Sequence, residues 1–563
     1  MKKPHLWLSV LGLWLLAVVL GQRALLALLF EPLSIPGFIS LVFFLAWINF
    51  AWLYGIYQLA ATVFAAITPR LNPRHARPAP HESDIAVLYT TMNDFSEAAA
   101  RSCVNLSYPQ FHVFLLDDST EPQERSRVDE FHRRFPHLTT VMRRPNLHGF
   151  KAGNLNHALE LIADRYEFFV VCDADGVLPA DFLGRAIAYF TNEQVGFVQA
   201  RQRVVRSDRN TAFANELAAS VEIYWQRIVP ATQHFGFVIF HGHGGMIRTS
   251  VWQKVGGFPT VVAEDLAFST RARQEGYVGL LADDLVCEEE FPSSYEAFAR
   301  RQLKYTRGAL EHLAKDMPAF LLSARITWVE KLDRLLASLA MVSAFPFFLF
   351  LMNFTLVLPF IFSAPSSRLG GPFARLMSVW GLLRIDTDQV PILTWPFIVM
   401  TVIALFGPLA PAACHLWKRP AELARYIATS IAIHLSLILS QFWEMLLLAT
   451  TGRNAFPVTG DRAASQPSRE ERRAADRFRQ NAPGLLGLAI LFMAAIVSAN
   501  VGVLPVCFAL AAGVAINQWG WEHSLARITV LLPLTIIILL IIFATDTAIA
   551  ASGSSIIAAL SGF

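Results

Sequence analysis

The stretch from Phe168 to Gly176, FFVVCDADG, is the feature that most constrains what this chain can fold into. Residues 168–172 are all apolar, which is typical of a central parallel strand covered on both faces. Asp173 and Asp175 follow directly, at the end of the strand where open α/β sheets bind ligands. Two such close carboxylates repel each other unless a cation lies between them, and Mg²⁺ or Mn²⁺ bridging a diphosphate suits oxygen ligands. The alternative is a solvated Asp-Ala-Asp turn.

The composition indicates an integral membrane protein with a separate soluble part. Of 563 residues, 54% are hydrophobic and 16% are charged, whereas soluble proteins carry about 25% charged residues. The apolar residues are segregated into long runs. A net charge of +3 gives no indication of a nucleic-acid partner, and the five cysteines lack metal-ligand spacing, so we expect them to be reduced.

Apolar runs longer than the ~20 residues needed to cross a bilayer flank the soluble region. The predicted organisation is two N-terminal transmembrane helices in 1–69, a cytosolic domain with interfacial helices in 70–325, transmembrane helices in 326–420, an interfacial helix and loop in 421–483, and C-terminal transmembrane helices in 484–563. Basic residues at the outer flanks of the first two spans place those flanks in the cytoplasm. The location predicted is the bacterial inner membrane.

Two of these segments leave alternatives open. Residues 426–450 are apolar but contain Glu444 and are flanked by arginines, which favours an interfacial helix over a crossing one. Residues 484–516 fit one long span or two short ones, so six crossings are preferred and seven remain open. A further span is predicted at 329–363, kinked or tilted near Pro346.

In the soluble region, short apolar runs alternate with helical patterns. Strands are predicted at 85–91, 111–116, 168–172 and 197–202, and helices from Ser96 and over 153–163. This alternation predicts an α/β domain with a mainly parallel sheet. The aromatic stretch 225–240 is expected to lie against the membrane.

Other polar residues are expected at the same edge of the sheet. Asp94 follows the first strand, and Asp117 and Asp118 end the second. Their carboxylates can accept hydrogen bonds from a nucleobase and a ribose, although each alone is also an ordinary turn residue. Lys151 precedes a helix and can reach a diphosphate, with Gly149 allowing close backbone approach.

Three further motifs follow. HGHGGMIR, from His241, has too few ligands nearby for a metal site and is interpreted as a tight loop lining a sugar pocket. Glu264 and Asp265 supply a candidate general base, or only an acidic helix start. The basic stretch 300–308 places cations and Tyr305 on one helix, for a leaving diphosphate and a stacked sugar, or for contact with anionic lipid.

The order of these motifs resembles the processive family-2 glycosyltransferases of membranes, which include cellulose, curdlan, chitin and hyaluronan synthases. The matching pieces are Asp94, Asp117-Asp118, KAGNLN at Lys151, DAD at Asp173, VQARQ at Val198, FHGHGG at Phe240, AED at Ala263 and RQLKYTRG at Arg301. FPVTGD at Phe456 is similar to the gating loop of cellulose synthases. The resemblance implies a GT-A-type α/β domain inserted in an α-helical transmembrane bundle.

The resemblance also implies roles for single residues. It assigns catalysis to Asp265, with Glu264 beside it; nucleotide-sugar binding to Asp94, Asp117, Lys151, Asp173, Lys304 and Arg307; metal binding to Asp173 and Asp175; acceptor binding to Tyr305, His241 and Gln302; and gating to Phe456, Val458 and Thr459. The cofactor would be Mg²⁺ or Mn²⁺ and the donor a UDP-sugar, with UDP-glucose first. The product would be a β-linked polysaccharide, exported through the protein's own channel and passed to any accessory export subunits.

Four positions in three motifs depart from the family pattern, and they concern the acceptor. Lys304 and Tyr305 stand where the family has Arg-Trp, His241 stands where a Cys is usual, and Asp461 replaces a basic residue. Lysine loses the bidentate fork of arginine, and tyrosine stacks over less area than tryptophan. A non-processive transferase acting on a lipid or short acceptor therefore remains an alternative, and a non-enzymatic membrane component is a third.

Overall fold

The soluble region folds around one eight-stranded sheet. The computed structural model describes residues 2–30, 33–68, 83–205, 211–353 and 395–451, with isolated positions at 357 and between 485 and 516. The strands are β1 Ile85–Thr91, β2 Phe111–Asp117, β3 Thr139–Met142, β4 Phe168–Asp173, β5 Gly176–Val177, β6 Val195–Val204, β7 Gly245–Arg248 and β8 Val278–Glu289. Their order in the sheet is β3-β2-β1-β4-β7-β6-β8-β5.

The sheet has a parallel half and a mixed half. Strands β3, β2, β1 and β4 pair in parallel. Strand β7 is antiparallel to both β4 and β6, β8 is parallel to β6, and β5 is antiparallel to β8. The parallel half therefore presents the carboxyl ends of its strands along one edge, and the reversal at β7 places a different loop beside the end of β4.

Nineteen α-helices accompany the sheet in the described part of the chain. They are α1 His5–Gly21, α2 Arg23–Ala27, α3 Ile35–Ile67, α4 Glu97–Val104, α5 Pro122–Arg134, α6 Phe150–Ile162, α7 Phe182–Ile187, α8 Ala212–Leu217, α9 Ala219–Ile223, α10 Val229–Phe235, α11 Thr249–Val255, α12 Glu264–Gln274, α13 Tyr295–Lys315, α14 Met317–Leu322, α15 Trp328–Met341, α16 Ala344–Met352, α17 Trp395–Phe406, α18 Ala410–Leu416 and α19 Pro420–Thr451. A π-helical turn, Tyr224–Ile228, joins α9 to α10.

Both faces of the sheet are covered by helices, which explains why the central strands have unbroken apolar sequences. One face packs on α4, α5 and α7 through buried residues such as Ala100, Phe131 and Phe182. The other packs on α6, α11 and α12 through residues such as Leu155, Trp252 and Phe268. The predicted fold class, a GT-A-type α/β domain with a mainly parallel sheet joined to apolar helices, is confirmed.

The predicted strands all form, but the mixed half was not anticipated. Helix α4 begins after Ser96, whose side chain accepts a hydrogen bond from the Ala99 N–H, as an N-cap does. Strands β3, β5, β7 and β8 were not predicted. Strand β7 is only four residues long and begins with Gly245, so it carries little strand signal of its own.

Apolar helices pack against this domain. By length and composition, three helices in the described ranges could cross a membrane, at Ile35–Ile67, Pro396–Leu416 and Pro420–Leu448. The first predicted span is instead broken near Gln22 into α1, α2 and a 3₁₀ turn. Phe64 of α3 contacts Phe235 of α10 edge-on, so the aromatic stretch expected at the membrane packs on an apolar helix.

The span predicted at 329–363 is not one helix. Helices α15 and α16 are separated at Val342 and Ser343, before Pro346. Helix α15 carries buried charged residues, among them Glu330 and Asp333, and begins with a capping box at Thr327. The predicted gating loop and C-terminal spans lie largely or wholly outside the described residues, and the domain boundaries remain predictions.

Small residues allow α3 to approach α17 closely. A Cβ atom built on Gly55 would lie 2.5 Å from Cα of Ala404 and 2.7 Å from the carbonyl oxygen of Ile403. Helices in membranes use such small residues to bring backbones together. By contrast, a Cβ atom on Gly12 of α1 would have no neighbour within 4 Å.

We therefore expect Gly55→Ala to lower the thermal unfolding midpoint of the detergent-purified protein, because overpacking a close contact costs roughly 1–3 kcal/mol. Gly12→Ala is the matched control, and we expect it to leave the midpoint unchanged or slightly raised, since alanine has the higher helix propensity. Equal midpoints for the two variants would show that α3 and α17 do not pack as described.

Candidate functional site

The site lies along the carboxyl ends of β1, β2 and β4. Pairing of Thr91 with Asp117 and of Thr90 with Asp173 aligns the three strand ends. The Thr90 hydroxyl donates to Asp173 Oδ1 at 2.8 Å, and Thr91 donates to Asp94 Oδ1 at 2.8 Å. The structure therefore brings the sequence-predicted residues Asp94, Asp117 and Asp173 to one edge.

Lys151 lies against Asp173. Its Nζ is 2.6 Å from Asp173 Oδ1 and donates to Oδ2 at 2.7 Å and to the Gly242 carbonyl at 2.9 Å. Burial alone would lower the pKa of Lys151, but the charges of Asp173 and Glu264 outweigh it and raise the pKa. A charged ammonium group therefore stands where the loop after β4 begins.

Two arginines that the sequence analysis did not single out hold the carboxylates that end β2. Arg143 Nε donates to Asp117 Oδ2 at 2.7 Å. Arg144 grips Asp118 through Nε at 2.9 Å and a terminal nitrogen at 2.6 Å, and both side chains are almost fully buried. An arginine fork of this kind is a strong, directional pair. The sequence signal for this role was the pair of adjacent arginines that follows β3, the strand that pairs with β2.

Arg144 also shapes the loop that carries Lys151. Its guanidinium donates to the Phe150 carbonyl at 2.8 Å and to the His148 carbonyl. Gly149 and Phe150 have positive φ angles of 77° and 52°, and a non-glycine residue in that region is strained. The ion pair thus stabilises the unusual backbone from which α6 projects Lys151 toward Asp173.

Asp175 and His243 face each other across the loop after β4. Asp175 is exposed on the wall of the cleft, yet its removal from bulk water raises its pKa to about 6, and Asp173 and Glu289 add to this effect. His243 is buried and lies 3.2 Å, through Nε2, from Glu289 Oε2. Among the described residues, no three His, Cys, Asp or Glu side chains form a preassembled metal site.

The loop between Phe240 and β7 is fixed by Gln199. The Gln199 amide oxygen accepts the His241 N–H at 2.9 Å, and its nitrogen donates to the His243 carbonyl at 3.0 Å. The Gly244 N–H donates to the Val171 carbonyl at 2.9 Å. Strand β6 therefore holds the loop from within, which gives the VQARQ motif a positioning role.

Asp265 lies at the start of α12, with Glu264 beside it. Burial and the neighbouring Glu264 carboxylate raise the pKa of Asp265 to about 6. A Cβ atom built on Gly242 would be 3.4 Å from Asp265 Oδ2 and 3.6 Å from Lys151 Nζ. Both side chains therefore face one pocket, and Gly242, with φ of +86°, keeps the space between them open.

His241 packs in an aromatic cluster. Its ring centroid is 4.6 Å from Trp225 and 5.8 Å from Tyr224, which both belong to the π-helical turn. Burial lowers the pKa of His241 to about 3, and Arg334 adds to this, so the imidazole is neutral. Tyr224 is within electrostatic reach of Asp265 and Tyr305. Both aromatic residues were missed in the sequence, where π-helical turns leave no pattern.

Helix α13 carries the basic motif and closes another side of the pocket. Gly308 allows this approach, because a Cβ atom there would lie 2.8 Å from Cβ of Ala263, which precedes Glu264. The Lys304 charge acts on Asp265, and Tyr305 is 45% exposed. The Arg307 guanidinium pairs with Glu444 of α19, so in this structure it is directed at an apolar helix.

Most of the residues predicted from the sequence thus border one cleft. The others are Gln302 and the predicted gating residues. Gln302 lies one turn before Thr306, which donates to the Gln302 carbonyl at 3.1 Å. The predicted gating residues Phe456, Val458 and Thr459 lie outside the described residues. The arrangement offers a carboxylate of raised pKa, a buried cation and a row of carboxylates, which suits an anionic ligand bearing hydroxyl groups.

Comparisons with known proteins show what part of this chain is similar to. Residues 168–407 match the model of glycosyl transferase family group 2. Over 245 residues the chain is 29% identical to glucomannan 4-beta-mannosyltransferase 1 of Cyamopsis tetragonoloba, covering 41% of this chain and 46% of the relative. The match thus spans about half of that relative's length. Residues 168–407 are therefore similar to family-2 glycosyltransferases.

Solved structures also resemble the chain, at low overall similarity. The mannosyltransferase PcManGT from Pyrobaculum calidifontis, in complex with GDP-Man and Mn²⁺, is 20% identical with a TM-score of 0.41, covering 68% of this chain and all of that one. Residues 1–349 of S. aureus TarS are 15% identical with a TM-score of 0.30, covering 62% of this chain and 90% of that one.

The buried pair of Arg144 and Asp118 yields a stability prediction. We expect Arg144→Ala to cost about 3–5 kcal/mol of unfolding free energy, because it leaves a buried carboxylate uncompensated. Arg101→Ala is the control: Arg101 also pairs with an acidic residue, Glu97, at 2.7 Å, but both are about half exposed, so we expect a change of about 0.5 kcal/mol or less. Chemical denaturation compares the two, and equal losses would contradict the buried pair.

Proposed function

We propose that this protein is a membrane-embedded inverting glycosyltransferase that polymerises a β-linked polysaccharide and exports it through its own channel. The observation that carries the proposal is the position of Asp265 Oδ2 and Lys151 Nζ on either side of Gly242. A base and a phosphate-binding cation facing one pocket suit displacement of a nucleoside diphosphate from a sugar. The matching family model supports the same reaction class.

Donor recognition is proposed along the edge of the sheet. Asp94 and Asp117 would bind the base and ribose, and Lys151, Asp173 and Lys304 would border the diphosphate. Arg307 would join them only after leaving Glu444. UDP-glucose is our first choice of donor, and GDP-mannose is the second because the curated relative is named as a mannosyltransferase.

A divalent cation, Mg²⁺ or Mn²⁺, fits the residues present. Asp173 and Asp175 supply oxygen ligands. Burial is the main cause of the raised pKa of Asp175, and the Asp173 and Glu289 charges add to it, so a bound cation would stabilise the ionised carboxylate. Such an ion, when bound, would neutralise the charge of the diphosphate. Asp173 and Asp175 are the residues proposed to hold it.

The proposed chemical step is a single displacement. Asp265 accepts the proton of the acceptor hydroxyl as the oxygen forms a bond to the anomeric carbon, and the bond from that carbon to the diphosphate oxygen breaks. The nucleoside diphosphate leaves toward Lys151 and Lys304, whose charges stabilise it. Attack from the side opposite the leaving group inverts the anomeric centre and gives a β-linkage from an α-linked donor.

The acceptor would lie between α13 and the loop at Gly242. Tyr305 is exposed enough to stack on a sugar ring, Gln302 lies on the same helix, and His241 presents a neutral imidazole backed by Trp225. Phe456, Val458 and Thr459 are proposed to cover the donor. The membrane helices would form the channel, with the catalytic domain on the cytoplasmic side of a bacterial inner membrane and accessory export subunits beyond it.

A non-processive transferase acting on a lipid or short acceptor is the second candidate. Tyr305 favours it, since a tyrosine grips a passing polymer over less area than a tryptophan. The three apolar helical segments long enough to cross a membrane, Ile35–Ile67, Pro396–Leu416 and Pro420–Leu448, favour a channel. Product length separates the two candidates.

The first experiment measures release of nucleoside diphosphate by the detergent-purified protein with Mg²⁺ or Mn²⁺ against a panel of UDP- and GDP-sugars, with product size read from the same reactions. We expect release with one hexose donor and a long product. Release with only short products would support the second candidate. No release with any donor would contradict the proposed activity.

The pKa of Asp265 predicts the pH dependence. Asp265 acts as a base only when deprotonated, so with a pKa of about 6 we expect kcat/KM to fall tenfold per pH unit below pH 6. Asp265→Asn should abolish transfer at every pH while nucleotide affinity stays within about twofold. Substantial turnover by Asp265→Asn would remove it as the base.

The pKa of Asp175 is also about 6, so the fall of kcat/KM at acidic pH needs a control. Metal-dependent nucleotide affinity is measured by calorimetry at the same pH values. Protonation of Asp175 weakens this affinity, whereas protonation of Asp265 affects the rate alone. If kcat/KM and the metal-dependent nucleotide affinity fall over the same pH range, the loss of activity at acidic pH is assigned to Asp175.

A further inference from the structure

His243 is buried with one ring nitrogen unsatisfied. The residue is 7% exposed, and its Nε2 lies 3.2 Å from Glu289 Oε2. Its Nδ1 is buried and has no hydrogen-bond partner among the described residues. Leaving a buried polar atom unpaired costs roughly 1–3 kcal/mol, so an imidazole held this way indicates a ligand for Nδ1.

The free nitrogen points at the loop that carries the two carboxylates. A Cβ atom built on Gly176 would lie 3.0 Å from His243 Nδ1 and 3.5 Å from the carbonyl oxygen of Asp173. Gly176 directly follows Asp175, and His243 is within electrostatic reach of both Asp173 and Asp175. The absence of a side chain at Gly176 leaves Nδ1 open toward this loop.

The imidazole is held rigidly from the other sides. Gln199 donates to the His243 carbonyl, and Gly244 is hydrogen-bonded to Val171 of β4. Gly176 pairs with Glu289 in the sheet, which places the Glu289 carboxylate behind the ring. A carboxylate that contacts the far nitrogen of a histidine orients its ring, an arrangement found around metal-binding histidines.

We propose that His243, through Nδ1, is a third protein ligand of the divalent cation at Asp173 and Asp175, with Glu289 orienting it. The inference rests on the proposed function, because that function requires the cation. It also favours one metal. Imidazole suits transition metals, whereas Mg²⁺ prefers oxygen ligands alone, so the site selects Mn²⁺ over Mg²⁺.

In the described structure, Lys151 is paired with Asp173, one of the proposed metal ligands. The Lys151 ammonium contacts both oxygens of Asp173, and the described residues hold no preassembled three-ligand cluster. Asp175 is exposed, and His243 Nδ1 lies buried beside Gly176. Binding of the cation therefore requires Lys151 to release Asp173, and a diphosphate would receive the released ammonium.

The test measures Mn²⁺ binding to the full chain in detergent, alone and with saturating UDP or GDP, by electron paramagnetic resonance. We expect a ¹⁴N coupling from an imidazole in the wild type that is lost in His243→Ala, with Mn²⁺ affinity weakened 10–100-fold. Glu289→Gln should weaken the affinity less and keep the coupling. The preference for Mn²⁺ over Mg²⁺ should fall in His243→Ala.

His241→Asn is the matched control from the same loop and should keep both the coupling and the Mn²⁺ affinity. Thermal unfolding without metal confirms that each variant is folded. The inference is overturned if the wild type binds no Mn²⁺, or if His243→Ala binds it as tightly as the wild type and with the same coupling. Because no turnover is needed, a wild type that shows the coupling but releases no diphosphate would refute the proposed function and leave this inference standing.

Discussion

The alignment of the ends of β1, β2 and β4 is the constraint on which the site depends. Parallel pairing puts Thr91 opposite Asp117 and Thr90 opposite Asp173, so three carboxylate-bearing loops must share one edge. Their mutual repulsion is met by cations that the chain itself supplies: Arg143 for Asp117, Arg144 for Asp118 and Lys151 for Asp173. Since Arg144 also binds the loop that carries Lys151, the same pairs that neutralise the edge position its functional lysine.

The second half of the pocket is set by contacts to the apolar helices. Helix α13 meets Ala263 through Gly308 on one side and α19 through Arg307–Glu444 and Gln441–Thr306 on the other. Tyr305 and Lys304 lie between these contacts. The position of the proposed acceptor site relative to Asp265 therefore depends on contacts between α13 and the long apolar helix α19.

The sequence predicted the parts of the fold that have strong local patterns. The apolar runs of β1, β2 and β4 were identified because continuous apolar runs are typical of buried parallel strands, and the carboxylates after them because ligands bind at the carboxyl ends of such strands. Strand β7 was missed because four residues beginning with glycine carry no strand signal, and the π-helical turn at Tyr224 was missed because its pattern does not differ from that of a helix. Arg143 and Arg144 gain their role only through the pairing of β3 with β2, which no local pattern reports.

His243 shows most clearly what local patterns leave out. A metal role for its loop was rejected from the sequence for want of nearby ligands, yet the reversal at β7 brings the loop beside a strand end some 70 residues earlier in the chain. The ammonium of Lys151 already satisfies Asp173, so a cation that binds there must displace it, and the displaced charge needs a new anion. A diphosphate provides that anion. The geometry therefore favours joint binding of cation and nucleotide over binding of either alone. The cation replaces Lys151 as the partner of Asp173, and the diphosphate becomes the new partner of the Lys151 ammonium.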